Sequence, residues 1–67
     1  MNFAIVYTDT YHPWKCDADA CTIVDGCVVL NATEKTPIQW GHASVKDPRV
    51  IIPLTNVLRI RTEVIAT

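Results

Sequence analysis

No stretch of this chain approaches the roughly 20 consecutive apolar residues that a membrane helix requires. The opening Phe3-Ala4-Ile5-Val6 run gives way at Tyr7-Thr8-Asp9 with no basic residue before it, whereas a secretory leader needs an apolar core of about 7 to 15 residues behind a positive start. The expected location is therefore the cytoplasm, unless the chain is cut from a longer precursor, and no membrane partner is expected. Charge is sparse, at 19% of all residues. Residues 1 to 32 carry four acids and one base (net −3), and residues 33 to 67 carry five bases and three acids (net +2). Nucleic-acid binders present a basic face dense enough to displace several counterions. Only Lys46, Arg49, Arg59 and Arg61 are loose candidates for such a face, so nucleic acid is disfavoured as a partner.

Glycine is scarce too, with two residues in 67, and no Gly-rich turn supplies the clustered backbone N–H groups of an oxyanion site. Both histidines, His12 and His42, fall in loop-like segments. A nucleophilic cysteine or serine needs a base within reach and donors for the developing oxyanion, so the chain reads as a non-enzymatic protein. Three cysteines cannot all pair within one chain, and a reducing compartment argues against a disulfide framework. Cys16 with Cys21 is the one local bridge that stays open. The series His12-x3-Cys16-x4-Cys21, with Cys27 and His42, offers nitrogen and sulfur donors for tetrahedral zinc but has no close pair such as Cys-x2-Cys. Free thiols, with Cys21 and Cys27 as small core residues, are the expectation; a zinc-held structural module is an alternative. Asp17-Ala18-Asp19 lacks the further oxygen ligands of a calcium loop and reads as a solvated acidic loop. No cofactor is implied.

What the chain has in quantity is β-branched and apolar residues, 49% of it hydrophobic, too much for a disordered polypeptide. Phe3 to Thr8 reads as a strand that runs into a loop or strand edge at Tyr11-His12-Pro13-Trp14, where Pro13 cannot join a ladder. Cys21-Thr22-Ile23-Val24, Asp25-Gly26 and Cys27-Val28-Val29-Leu30 spell a hairpin, because Asp-Gly takes the positive φ angles of a type I′ turn. That turn opposes Val24 to Cys27, Ile23 to Val28, Thr22 to Val29 and Cys21 to Leu30, and puts Cys21, Ile23, Val28 and Leu30 on one face. Ile38-Gln39-Trp40 and Val50-Ile51-Ile52 read as short strands around a loop from His42 to Pro48, and Leu54-Thr55-Asn56 as a tight turn. Val57 to Ile65 alternates, with Leu58, Ile60, Thr62 and Val64 on a half-buried face and Arg59, Arg61 and Glu63 on the other. The fold class that follows is all-β, one domain over residues 1–67: a small SH3-like barrel or a strongly curled antiparallel sheet of five to six short strands.

The Asp25-Gly26 hairpin followed by Ile52-Pro53-Leu54-Thr55-Asn56-Val57 before the final strand resembles short SH3-like barrels. It is also similar to small bacteriophage-encoded accessory proteins, over roughly Cys21 to Val64. The resemblance implies a viral protein in the host cytoplasm that binds or inhibits a host factor or sequesters a small molecule. Large aromatics that a thin core cannot hold are common at interface hot spots, which singles out Tyr11, His12, Trp14, Trp40 and His42 as partner-binding candidates. Arg59 and Arg61 along one strand face support the alternative of a nucleic-acid-binding small barrel. The apolar surplus predicts a homo-oligomer through a strand edge and through Ile51, Val57 and Ile65.

Overall fold

The structure is a computed structural model that describes residues 2–9 and 11–64. Among the described residues it contains eight short strands and no α-helix. The strands are β1 (Asn2–Tyr7), β2 (Trp14–Asp17), β3 (Cys21–Val24), β4 (Cys27–Asn31), β5 (Gln39–Trp40), β6 (Ala43–Ser44), β7 (Arg49–Pro53) and β8 (Arg59–Val64). They form two antiparallel sheets, one of five strands in the order β6-β5-β2-β1-β8 and one of three in the order β3-β4-β7. The all-β expectation holds, with eight strands in place of five or six. No ladder joins the two sheets among the described residues, so the strands stay open and do not close into a barrel.

Local turn chemistry accounts for the hairpin. Asp25 and Gly26 take φ angles of 50° and 73°, the left-handed pair that a two-residue type I′ turn demands. The β3–β4 register is the expected one, from Cys21 opposite Leu30 to Val24 opposite Cys27. Val28 and Leu30 are buried, whereas Ile23 on the same face is exposed, because β3 is an edge strand with a neighbour on one side only. On the other side β4 pairs with β7, and Pro53 closes β7 at a sheet edge, where its missing N–H costs no ladder bond. A 3-10 turn at Leu54–Asn56 follows, tied back to the hairpin by the Leu54 N–H donating to the Gly26 carbonyl at 2.9 Å.

Three short elements refine the expectation. Where a loop or strand edge was expected, a strand begins at Trp14 and runs to Asp17, because β1 accepts it as a neighbour from Val6 opposite Trp14 to Phe3 opposite Asp17. Ala43–Ser44, inside the expected loop, pairs with β5. Ala18–Ala20 is a 3-10 turn capped by the Asp17 carboxylate, which accepts from the Asp19 N–H at 2.9 Å; the acidic loop is thus self-capped.

The core lies between the sheets and consists of Ala4, Val6, Cys16, Val28, Leu30, Ile38 and Ile52. Alternation along β1 sends Phe3, Ile5 and Tyr7 to the outer face. Ile5 is buried there, flanked across the ladders by Lys15 and Arg61. Three expected burial assignments change. Cys16 is the fully buried cysteine, while Cys21 and Cys27 are half-buried. Val57, expected to point outward, packs against the core. The apolar side of the last strand alternates as expected but is not half-buried: Leu58, Ile60 and Val64 are exposed, since β8 lies at the edge of the larger sheet beyond the reach of the smaller one. Ile51 is exposed, as expected, and Ile65 lies outside the described residues.

Candidate functional site

Four of the seven partner-binding candidates come together at one end of the larger sheet. Trp14 and Trp40 are opposed in the β2–β5 ladder, with ring centroids 5.9 Å apart and planes tilted by 34°. His12 lies over Trp40 at 5.0 Å, and Tyr11 continues the series at 6.5 Å from His12. Trp14 packs against the core, so the ridge is anchored from below. Its upper members face water, with Tyr11 82% and Trp40 42% exposed.

The loop that carries Tyr11 and His12 is held by hydrogen bonds at both ends. The Asp9 carboxylate accepts from the backbone N–H groups of Tyr11 and His12, each at 2.8 Å. Those two bonds favour the ionised carboxylate and hold Asp9 below its ordinary pKa, the His12 bond contributing most. At the far end the Gly41 N–H donates to the Pro13 carbonyl at 2.9 Å. Gly41 has a φ of 62°, and a Cβ placed on it would stand 2.9 Å from His12 Cδ2. Glycine at this position therefore leaves the seat that the imidazole occupies. His42, the next residue, is exposed in the β5–β6 turn, and no ring contact joins it to the ridge.

Arg59 and Arg61 sit elsewhere, on the outer face of the same sheet, where they converge on Tyr7. The Arg59 guanidinium lies 4.4 Å and that of Arg61 6.0 Å from the Tyr7 ring centroid. The guanidinium of Arg61, then that of Arg59, lowers the pKa of the Tyr7 hydroxyl by favouring the phenolate. A shallow recess of about 230 Å³ opens beside them, lined by Tyr7, Asp9, Leu58 and Arg59. Along the same face Lys15 Nζ lies 4.4 Å from the Phe3 ring centroid. Next to it a second recess of about 200 Å³ is lined by Phe3, Lys15, Lys35, Thr36, Pro37 and Gln39. The sequence signal for this face was the period-two spacing of Phe3, Ile5 and Tyr7; its pairing with Lys15, Arg59 and Arg61 depends on strand order and was not readable beforehand.

The sulfur chemistry is muted. All three cysteines are free, and the Cys16 thiol donates to its neighbour Asp17 carbonyl at 3.3 Å. Burial above all, with Cys21 alongside, pushes the Cys16 thiol up to about 12, and burial also raises Cys21. A thiol so protonated is a poor nucleophile. Among the described residues no three His, Cys, Asp or Glu side chains gather as a ligand set, so the zinc-held alternative gains no site. What the described residues do bring together is an aromatic ridge at one end of the sheet and a cation–aromatic stripe on its outer face. No family model, curated protein or solved structure matches the chain.

Proposed function

We propose that the protein is a non-enzymatic binding module that engages a partner protein through the ridge of Tyr11, His12, Trp40 and Trp14. The observation that carries this reading is the prior fixing of the ridge by Asp9 and Gly41. A loop backbone already held in place loses less freedom on binding, and such ordering is a usual cost of an interface. Trp14 and Trp40, partly covered and partly wet, have the character of hot-spot residues. The kinship with bacteriophage accessory proteins expected from the turn pattern would make a host factor the partner.

A photo-activated crosslinking residue placed at Tyr11, in cells that make the protein, tests it. The expected result is one discrete crosslinked protein, lost in the Trp40→Ala variant and kept when the crosslinker-bearing chain also carries Arg59→Ala. Irradiation that yields no discrete product, or one indifferent to Trp40→Ala, would overturn the reading.

A second reading, single-stranded nucleic acid on the outer face, is favoured by one observation: Lys15 stands over Phe3 and Arg59 over Tyr7 on adjacent strands of one sheet. Aromatic rings interleaved with cations are the elements on which bases stack while phosphates are neutralised. Fluorescence anisotropy of a labelled oligo-dT at low salt distinguishes the two. Binding lost in Phe3→Ala and Arg59→Ala but unchanged in Tyr11→Ala would favour the face over the ridge.

A further inference from the structure

The edge strand β8, whose Arg59 and Arg61 also belong to the outer-face stripe, carries a further pattern along its free border. It forms one border of the five-stranded sheet, and among the described residues its outer side pairs with no strand. With six residues it is the longest free edge; β3 has four, β6 has two, and β7 ends on Pro53. An unpaired edge of this length is a template for another strand. Its inward side continues the core face of the sheet, with Ile60 opposite Val6 and Thr62 opposite Ala4. Ala4 and Val6 are buried, yet Ile60 is 39% and Val64 72% exposed. The core face is thus covered over β1 and open over β8.

The residues of this edge, Ile60-Arg61-Thr62-Glu63-Val64, are chemically symmetric about Thr62: an apolar residue at each end, then a cation on one side and an anion on the other. Laid antiparallel against a copy of itself on a two-fold axis through Thr62, the strand opposes Ile60 to Val64, Arg61 to Glu63 and Thr62 to Thr62. Opposite charges and apolar pairs directly across an antiparallel ladder are the favourable combinations. Sliding the copy by two residues keeps the core faces aligned but opposes Glu63 to Glu63 in one direction and Arg61 to Arg61 in the other, where Arg59 then meets Glu63. Of these three registers, only the one centred on Thr62 has no like charges directly opposed. A slip of one residue turns the core face of one copy toward the outer face of the other.

We propose that two copies of this chain associate through β8 in the register centred on Thr62, joining their five-stranded sheets edge to edge. Within each chain Arg61 and Glu63 already lie 3.5 Å apart on the outer face, so the seam brings two such pairs into one alternating cluster of four charges. The inference is independent of the aromatic ridge, which lies toward the opposite border of the sheet on β2 and β5.

The test is charge exchange. Light scattering over a dilution series is expected to show a dimer for the natural chain and a dissociation constant raised at least about tenfold in Arg61→Glu or Glu63→Arg alone, since each opposes like charges at two symmetric positions. The double exchange R61E/E63R restores the opposition and is expected to dimerise like the natural chain. An equimolar mixture of the two single variants is expected to give a heterodimer by native mass spectrometry, because one copy then presents two acids where the other presents two bases. Circular dichroism of each single variant confirms that these exposed substitutions leave the fold intact. A monomer at every concentration of the natural chain, single variants that dimerise undiminished, or a mixture that forms no heterodimer would each overturn the proposal.

Discussion

Trp14 and Trp40 face each other across the β2–β5 ladder with ring centroids 5.9 Å apart, but they hold unequal positions: Trp14 packs against the core and Trp40 is exposed. The pair joins the ridge to the hydrophobic interior, and the two residues respond differently to truncation. Trp14→Ala removes core packing and is expected to destabilise the fold by about 3 kcal/mol. Trp40→Ala is expected to cost about 1 kcal/mol or less, as for a partly exposed side chain. Urea unfolding of both variants measures the difference; equal losses would show that Trp14 contributes nothing to the core beyond the ridge.

Gly41 sets the position of His12. Alanine there would bring its Cβ within 2.9 Å of the imidazole at a φ of 62°, so Gly41→Ala is expected to displace His12 from Trp40 and to cost about 1 kcal/mol through the left-handed backbone. Tryptophan fluorescence reports the displacement directly. The crosslink from Tyr11 is expected to weaken in parallel, which a purely local backbone strain would not cause.

Gly26 poses the complementary case. A Cβ there meets nothing within 4 Å, and the φ of 73° is its only constraint. Gly26→Val is therefore expected to destabilise by more than about 1 kcal/mol through backbone strain alone, whereas Gly26→Asn, which tolerates that region, is expected to cost much less. A melting temperature unchanged by valine would contradict the type I′ turn.

Asp9 makes the ridge sensitive to acid. Its pKa is lowered by the two backbone N–H bonds, so the ionised carboxylate stabilises the loop at neutral pH, and this contribution disappears as pH falls through the folded pKa. The amide resonances of Tyr11 and His12 are expected to titrate together, with a midpoint below the ordinary aspartate range. In Asp9→Asn that common transition is expected to vanish.

Cys16 makes the core sensitive to base. Its thiol is pushed up to about 12 from 9.0, chiefly by burial. A raised folded pKa means that the native state holds a proton which the unfolded chain releases. Stability is therefore full below about pH 9 and declines as pH rises toward 12. Urea midpoints between pH 8 and 11 are expected to fall more steeply for the natural chain than for Cys16→Ala. Thiol reagents at neutral pH are expected to label Cys27 before Cys16.

The sequence by itself determined what depends on neighbours along the chain. Asp25-Gly26 fixed the hairpin and its full register, because a type I′ turn admits only one way of opposing the residues that flank it. Period-two spacing sorted β8 into an apolar and a charged side, because successive side chains in a strand point to opposite faces. It could not say which side would be covered. Tertiary structure decided that by placing β8 at a sheet border, where Ile60 and Val64 stay exposed. The strand at Trp14–Asp17 was hidden for a related reason: with Pro13 before it and Lys15 and Asp17 within it, it acquires strand character only through its pairing with β1 and β5. Tyr11, His12, Trp14 and Trp40 were legible as aromatics in excess of a small core. Their stacking required β5 to lie beside β2, and Arg59 and Arg61 reached Tyr7 only because β8 lies beside β1. Pairings between strands distant in sequence are settled by which sheet buries the most apolar surface, a property of the whole chain that no local pattern encodes.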